Sequence, residues 1–238
     1  RENTPKAAVF AHWWDYGYWV QTFGERATLS DGGNARGAIN YFTARHFLTG
    51  RNREEALGLL KTHNVTHALI VSDEIGKYTA ISAIGSNEKY DRYSYIPIFL
   101  SNPDEFLGQR DKAGNLIESY IYKGEFILDE DLFYNGKIFP LGKSIVRGII
   151  LTTRGDVGNL EVSYPRMVLV NKKVQEVVPI NCLFWDGKEY LYNINGAYNG
   201  CFIIIPRVHG ETDEEKQVDY TGAGLFLSPN TRNTLFSQ

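Results

Sequence analysis

The sequence predicts an α+β protein in which a mainly helical part is followed by a β-rich part. Residues 1–100 contain apolar residues at helical spacing, whereas residues 101–238 contain short apolar or alternating runs between Gly, Asn and Asp turns. A hydrophobic share of 43% and a charged share of 22% are typical of a folded globular chain. Because no linker or repeat separates the two parts, we expect a single domain over residues 1–238.

The composition also excludes some classes of function. A net charge of -3 without a basic stripe argues against a nucleic-acid-binding protein. The sequence has no apolar run of about 18 residues or more, so we expect no membrane-spanning helix within it.

The first predicted helix covers Asp15 to Phe23, with Gly24 in the position where helices commonly stop. Asp15 is expected to be its N-cap, where a carboxylate accepts backbone N–H groups and faces the positive end of the helix. Residues 27–29 are expected to be extended and residues 30–34 to form a turn.

Two helices should follow, one from about Ala35 to Thr49 and one from Asn52 to Thr62. Asn52 has the side chain of a good N-cap, with an acid at the third helical position. An apolar strand over residues 66–72 and a helix from Glu74 to Ile84, ended by Gly85, complete this part.

The β-rich part is predicted from short apolar runs bounded by turn residues. The expected strands are 120–128, 145–152, 162–170, 174–178, 181–185, 189–194 and 201–206. Lys172-Lys173 is predicted to be a hairpin tip.

The two cysteines are not expected to pair. If tight turns at Asp186-Gly187 and at Asn195-Gly196 place a strand between Cys182 and Cys201, the two sulfurs would be about 10 Å apart. We therefore expect free, buried thiols.

The segment from His12 to Trp19 combines three tryptophans with one carboxylate within eight residues. Indole N–H groups and a carboxylate beside apolar rings can provide both hydrogen-bonding partners of a small hydroxyl group. The alternative interpretation is an aromatic helix start that packs into its own core.

The segment Trp13-Trp14-Asp15-Tyr16-Gly17 resembles the WWDYG signature of oligosaccharyltransferase catalytic subunits, in particular the archaeal ones. The residues that follow, 26–34, are similar to the Arg, Thr, Leu and Asp run after that signature. The resemblance implies a C-terminal domain of a subunit that attaches lipid-linked oligosaccharides to asparagine. It also implies that the subunit's many transmembrane helices lie outside this sequence.

Residues 72–81 resemble the family's second motif, in which an acid is followed by lysine and then by methionine or isoleucine. Lys77 and Ile81 match, whereas the acid is either Glu74 or the preceding Asp73. Helical spacing places Glu74, Lys77, Ile81 and Ile84 on one face. The alternative interpretation is a surface ion pair of Glu74 with Lys77 beside two core isoleucines.

The resemblance implies recognition of the acceptor sequence Asn-X-Ser/Thr. Asp15 would accept the hydroxyl proton, Trp13 and Trp14 would donate to its oxygen or form the pocket wall, and Ile81 would contact the threonine methyl. Tyr16 and Gly17 would support this site.

The family's catalytic acids and its Mn²⁺ or Mg²⁺ ion are expected in the transmembrane part. The resemblance thus implies no catalytic or metal-binding residue in this chain, which alone should be inactive. Its implied partners are the acceptor polypeptide, the lipid-linked oligosaccharide and its own transmembrane region, at the extracytoplasmic face of the membrane.

Two other functions fit the same residues. Tryptophans beside a carboxylate also bind sugars, so a carbohydrate-binding module or a glycosidase is an alternative, although a glycosidase needs a second acid near Asp15. A purely structural extracytoplasmic domain is the other alternative. The five histidines are scattered and predict no metal site.

Overall fold

The computed structural model describes residues 2–33, 37–102, 106–112, 114–155, 161–209 and 217–237. The chain forms two compact units, Arg1–Ile96 with Asn230–Gln238, and Pro97–Pro229. The first is mainly helical and the second mainly β, so the α+β class and the order of its parts are confirmed. The single-domain assignment stays a prediction, because compact units need not unfold separately.

Among the described residues, the first unit contains a small parallel sheet, four α-helices within residues 1–96, a short C-terminal α-helix (Pro229–Arg232) and single turns of other helical types. Strand β1 lies between its two partners in the order β2-β1-β3. The strands are β1 (Val9–Ala11), β2 (Ala27–Thr28) and β3 (His67–Ala68). The helices are α1 (Gly17–Thr22), α2 (Gly37–Phe42), α3 (Arg53–Thr62) and α4 (Glu74–Gly85). The other turns are 3-10 turns at Trp14–Tyr16 and Leu235–Ser237, and a π-helical segment at Thr43–Leu48.

Helices α3 and α4 confirm the sequence predictions, and the Asn52 side chain accepts the Glu55 N–H at 2.8 Å. The predicted start near Ala35 lies outside the described residues. The strand predicted over residues 66–72 is much shorter, and β1 was not predicted because a three-residue run carries little periodicity.

The helix predicted over Asp15 to Phe23 is wrong in its first turn. Residues Trp14–Tyr16 form a 3-10 turn, and α1 begins only at Gly17. Asp15 therefore does not cap α1, whose N-cap is Tyr16 without a side-chain capping bond.

The core of the first unit lies between the signature segment and three helical segments. Its buried members are Ala11, Trp13, Ala44, Phe47, Leu48, Leu59 and Ile81. At Gly85, a Cβ atom would lie only 2.9 Å from the Arg45 backbone nitrogen, so glycine permits close packing of α4 on the π-helical segment.

The Arg45 side chain forms an ion pair with Asp91 through its two terminal guanidinium nitrogens, at 3.1 and 2.9 Å. This charge-assisted pair lowers the pKa of Asp91 to about 2.

The second unit is a ten-stranded sheet with a separate two-stranded hairpin, among the residues that the structure describes. The sheet strands are β4 (Ile98–Leu100), β5 (Phe106–Arg110), β6 (Leu116–Ile127), β9 (Ile145–Arg154), β10 (Glu161–Val162), β11 (Arg166–Asn171), β12 (Val174–Trp185), β13 (Lys188–Leu191), β14 (Tyr198–His209) and β15 (Gln217–Leu227). The hairpin strands are β7 (Leu132–Tyr134) and β8 (Lys137–Phe139).

The sheet closes on itself. Strands follow the order β9-β11-β12-β14-β15-β4-β6, and β6 then pairs with β9 over most of its length. Closure leaves one face of each strand inside the resulting barrel. The interior holds aromatic side chains, including Phe99, Tyr122, Phe126, Tyr198, Phe202 and Phe226.

The expectation of free thiols is wrong, because Cys182 and Cys201 form a disulfide. The predicted Asp186-Gly187 turn does join β12 to β13, where Trp185 pairs with Lys188. However, β14 does not pair with β13. It pairs in parallel with the other edge of β12, which brings Cys182 directly opposite Cys201.

No helix in the described part of the chain has the length and apolar character needed to cross a membrane.

The disulfide is expected to stabilise the fold substantially. Its cysteines are 19 positions apart, and closing a loop of that length lowers the entropy of the unfolded chain by an equivalent of about 3 kcal/mol. Replacing both cysteines by serine should lower the free energy of unfolding in urea by about that amount. Adding a reductant should destabilise the natural chain and leave the serine variant unchanged. Two titratable thiols in the unreduced, unfolded chain would contradict this pairing.

Candidate functional site

The signature segment connects the end of β1 to the start of α1 through a 3-10 turn. Successive side chains in a 3-10 turn point in directions about 120° apart, so adjacent residues face different surroundings. Trp13 faces the core and is 3% exposed, whereas Trp14 and Asp15 are partly buried. Within the turn, Trp14 and Tyr16 pack against the core, and Asp15 is the polar residue between them.

Lys77 connects the signature to the second motif. Its Nζ donates to Asp15 Oδ2 at 2.5 Å and to Asp73 Oδ2 at 2.8 Å, and it lies 5.1 Å from the centre of the Tyr16 ring. The Tyr16 hydroxyl also donates to the Asp73 carboxylate. These bonds, first to Asp15 and then to Asp73, raise the pKa of Lys77. A single cation thus holds two carboxylates that would otherwise repel each other.

The second oxygen of Asp15 differs from the first. Oδ1 is inaccessible to solvent and has no hydrogen-bond partner among the described residues. A buried carboxylate oxygen without a donor loses hydration without compensation. Asp15 therefore has one oxygen fixed by Lys77 and one buried oxygen without a donor, which a ligand could reach only after a shift of the neighbouring side chains.

Glu74 is fully buried at the first turn of α4. Its Oε2 accepts the Val71 N–H at 3.0 Å, and the backbone N–H of Trp13 also stabilises the carboxylate. Burial is the largest effect and raises the pKa of Glu74. Glu74 thereby links α4 to the first residue of the signature.

The alternative interpretation of a surface ion pair between Glu74 and Lys77 is wrong, because Lys77 pairs with Asp73 and Asp15. Both acids of the second motif are thus engaged, Asp73 by the lysine and Glu74 by backbone N–H groups. The same alternative placed both isoleucines in the core, which holds for Ile81 but not for Ile84, which is 42% exposed.

Gly17 occupies a place that no larger residue could take. A Cβ atom there would lie 2.4 Å from the Ser30 carbonyl oxygen and 2.4 Å from the Asp31 Cα atom. Backbone atoms cannot move aside as a flexible side chain can, so the signature glycine allows the turn after β2 to approach α1.

His12, immediately before the signature, was not singled out from the sequence. Its ring is fully buried, and its Nδ1 lies 2.7 Å from the Trp13 carbonyl oxygen. Burial lowers the pKa of His12, so the ring is neutral and donates through Nδ1. Its position beside the signature was the only available signal.

An aromatic groove lies beside Tyr16. Its volume is about 440 Å³, and its lining includes Trp19, Val20 and Phe23. The Trp19 and Phe23 side chains are 69% and 72% exposed. This groove offers apolar surface to a ligand that reaches the signature.

The described residues do not provide a site for Mn²⁺ or Mg²⁺. The described part of the chain brings together one set of three metal-ligating residue types, Cys182, Glu189 and Cys201. Its two sulfur atoms are bonded to each other, and these hard cations prefer oxygen ligands.

The Lys77 cluster makes a testable contribution to stability. Lys77→Ala should lower the free energy of unfolding by about 1 kcal/mol, a modest value because the lysine side chain is 37% exposed and solvent screens the pair. Chemical denaturation should show a larger loss than for the control Lys61→Ala, which removes an exposed lysine from α3. Equal losses for the two variants would contradict a stabilising role of the cluster.

Glu74 should make stability depend on pH. Its folded pKa lies above the ordinary value of 4.5, so the folded state binds this proton more tightly, and the stability it confers falls as pH rises above 4.5. Glu74→Gln cannot lose a proton. The stability of the natural chain relative to this variant should therefore decrease from pH 4 to pH 7 in urea titrations, with Glu54→Gln as the exposed control. A relative stability that grows with pH would refute the assignment.

Comparisons with known proteins identify relatives of this chain. Residues 6–92 match the family model of the STT3/PglB/AglB core domain. Dolichyl-phosphooligosaccharide-protein glycotransferase 1 of Pyrococcus furiosus is 32% identical over 87 residues, 36% of this chain and 9% of that protein. The dolichyl-diphosphooligosaccharide--protein glycosyltransferase subunit STT3B of Oryza sativa subsp. japonica is 31% identical over 181 residues, 68% of this chain and 22% of that protein.

The chain thus spans less than a quarter of the length of these relatives. Among solved structures, the crystal structure of the C. jejuni PglB C-terminal domain aligns with a TM-score of 0.44 and 12% identity, covering 100% of this chain and 86% of that one. The signature and the second motif both lie within the matched residues 6–92. Through these residues, the chain belongs to the STT3/PglB/AglB family.

Proposed function

We propose that this chain is the part of an oligosaccharyltransferase catalytic subunit that recognises the acceptor sequence Asn-X-Ser/Thr. In this proposal the parent enzyme transfers a lipid-linked oligosaccharide to asparagine in protein N-glycosylation. The parent is a membrane protein with this domain at the extracytoplasmic face. Its catalytic acids and Mn²⁺ or Mg²⁺ ion lie outside this chain, so the chain alone transfers no glycan.

The observation that best supports this proposal is that the two carboxylate oxygens of Asp15 have different surroundings. Lys77 holds Oδ2 at 2.5 Å, whereas Oδ1 is buried and without a donor in the described part of the chain. A serine or threonine hydroxyl group would supply that donor once a shift of the neighbouring side chains exposes the oxygen. A residue without a hydroxyl would leave the carboxylate oxygen unpaired, and enzymes that use such pairing discriminate by about 10⁴-fold or more.

The tryptophans take different parts in the proposed site. Trp13 is buried in the core and fixes the segment, whereas Trp14 packs against that core and is partly buried, so in this proposal Trp14 is the tryptophan that forms the pocket wall. Ile81 lies in the same core and is fully buried, so contact with a threonine methyl requires a shift of the signature segment. One methyl contributes about 0.8 kcal/mol, which limits the preference for threonine over serine to about four-fold.

Peptide binding tests the proposal. In NMR titrations of the full chain, a peptide with Asn-X-Thr should bind more tightly than the same peptide with alanine at the third position. Asp15→Ala should weaken binding of the threonine peptide by about 10- to 100-fold, because it removes a charged hydrogen-bond acceptor. The two peptides should then bind equally.

Asp73→Ala is the matched control. It removes the other carboxylate on Lys77, but its side chain is 53% exposed and lies outside the signature. This variant should weaken binding less than about five-fold.

Two other outcomes would contradict the proposal. Saturation by a free oligosaccharide, with no response to the peptide, would favour a carbohydrate-binding module instead. No binding of either the peptide or the oligosaccharide would favour a structural domain.

A further inference from the structure

The end of helix α3 carries an exposed asparagine in a left-handed conformation. Asn64 follows the C-cap residue His63 and has a φ of 54°. Its backbone N–H donates to the Lys61 carbonyl oxygen at 3.1 Å, and the Val65 N–H donates to the Leu60 carbonyl oxygen at 2.9 Å. These bonds close the helix, and glycine or asparagine adopts such a conformation most easily. Glycine would serve this turn as well, so the turn by itself does not require a side-chain amide.

The Asn64 side chain is exposed, and none of the described residues forms a hydrogen bond with it. Residues 64–66 read Asn-Val-Thr, which is the acceptor sequence of asparagine-linked glycosylation. No other asparagine in the 238-residue sequence is followed by serine or threonine at the second position. An oligosaccharide on the Asn64 amide nitrogen would therefore extend into solvent.

Thr66, the third residue of this acceptor sequence, is held against β1 in the folded chain. Its backbone N–H donates to the Val9 carbonyl oxygen at 2.9 Å. Its hydroxyl oxygen accepts the Val9 N–H at 3.0 Å and lies 2.8 Å from His67 Nδ1. The proposed acceptor site needs a free hydroxyl group on an accessible segment, whereas residues 64–66 are bent at Asn64 and bonded at Thr66. The folded chain therefore cannot present this sequence as an acceptor.

We propose that a second, folded copy of the parent enzyme glycosylates Asn64 before this part of the chain folds. The proposal rests on the proposed function, which supplies the lipid-linked oligosaccharide and the extracytoplasmic location. In the reaction, Asn64 Nδ2 forms a bond to the anomeric carbon of the first sugar, while the bond from that carbon to the lipid phosphate breaks. The phosphate leaves with the electron pair, and the amide nitrogen gives up one proton to solvent. Once the chain has folded, the glycan lies on the surface at the end of α3.

Mass spectrometry of the parent membrane protein, purified from the cells that make it, tests the proposal. Trypsin cleaves after Lys61 and Lys77 and releases residues 62–77 as one peptide. In the natural protein, this peptide should carry the mass of an oligosaccharide on Asn64, and the unmodified peptide should be the minor form. A peptide found only in its unmodified form would overturn the proposal.

Substitutions at positions 64 and 66 separate the acceptor sequence from the turn. Thr66→Val removes the hydroxyl group, keeps a β-branched side chain, and should abolish glycosylation. Thr66→Ser is the matched control, because it keeps a hydroxyl group, and it should lower glycosylation by about four-fold at most. Asn64→Gly removes the acceptor nitrogen at a position that suits glycine, so it should give a folded and unmodified protein. A glycan that persists on Asn64 in the Thr66→Val variant would contradict the proposal.

An inactive copy of the parent enzyme shows when and by which copy Asn64 is modified. The Asp15→Ala parent, produced as the only copy, should lack the glycan. The same variant should gain it when the natural parent is produced in the same cells. Folded Asp15→Ala protein that is purified first and then mixed with the natural enzyme and lipid-linked oligosaccharide should stay unmodified, because its Thr66 is bonded to Val9. Glycosylation only after folding, or in the absence of the natural copy, would refute the proposal.

A reporter peptide distinguishes a failure of this proposal from a failure of the proposed function. The purified natural parent enzyme is incubated with lipid-linked oligosaccharide and a peptide that contains Asn-X-Thr. Glycosylation of the reporter together with an unmodified Asn64 would overturn this proposal alone. A reporter that stays unmodified would overturn the proposed function, and this inference with it.

Discussion

The candidate site depends on the Lys77 ammonium group that lies between the Asp15 and Asp73 carboxylates. Asp73 precedes Lys77 by one helical turn, whereas Asp15 is 62 positions away in the sequence. The ion pair therefore fixes the signature segment against α4. It also orients Asp15, because one carboxylate oxygen is held by Lys77 while the other is buried without a donor. Without the cation, two neighbouring carboxylates would repel each other and the orientation of Asp15 would be lost.

Packing supports this interaction from the other side. Trp13 lies in the core together with Ile81, Glu74 holds the Trp13 backbone, and Gly17 lets the turn at residues 30–31 come close. A core interpretation and a binding interpretation of the aromatic segment are thus compatible. The 3-10 turn directs neighbouring residues to different surroundings, so Asp15 can face Lys77 while Trp14 and Tyr16 pack against the core.

In the second unit, the closure of the sheet and the path of the chain determine which residues lie next to each other. Because β14 pairs with the far edge of β12, two cysteines that seemed to be separated by a strand lie opposite each other.

The sequence by itself determined the fold class, the helices α3 and α4, and the signature and second motif, because helical periodicity, capping and motif spacing are local properties. It did not determine the partner of Lys77, since both Glu74 and Asp73 lie within reach on the same helix. The first turn of the signature was also mispredicted. Capping preference favours an aspartate at an N-cap, whereas the Asp15 carboxylate is held by Lys77, a residue distant in the sequence. The disulfide depended on which edge of β12 receives β14. Only the tertiary structure decided these points, because each is fixed by contacts between residues distant in sequence, and local propensity contains no information about them.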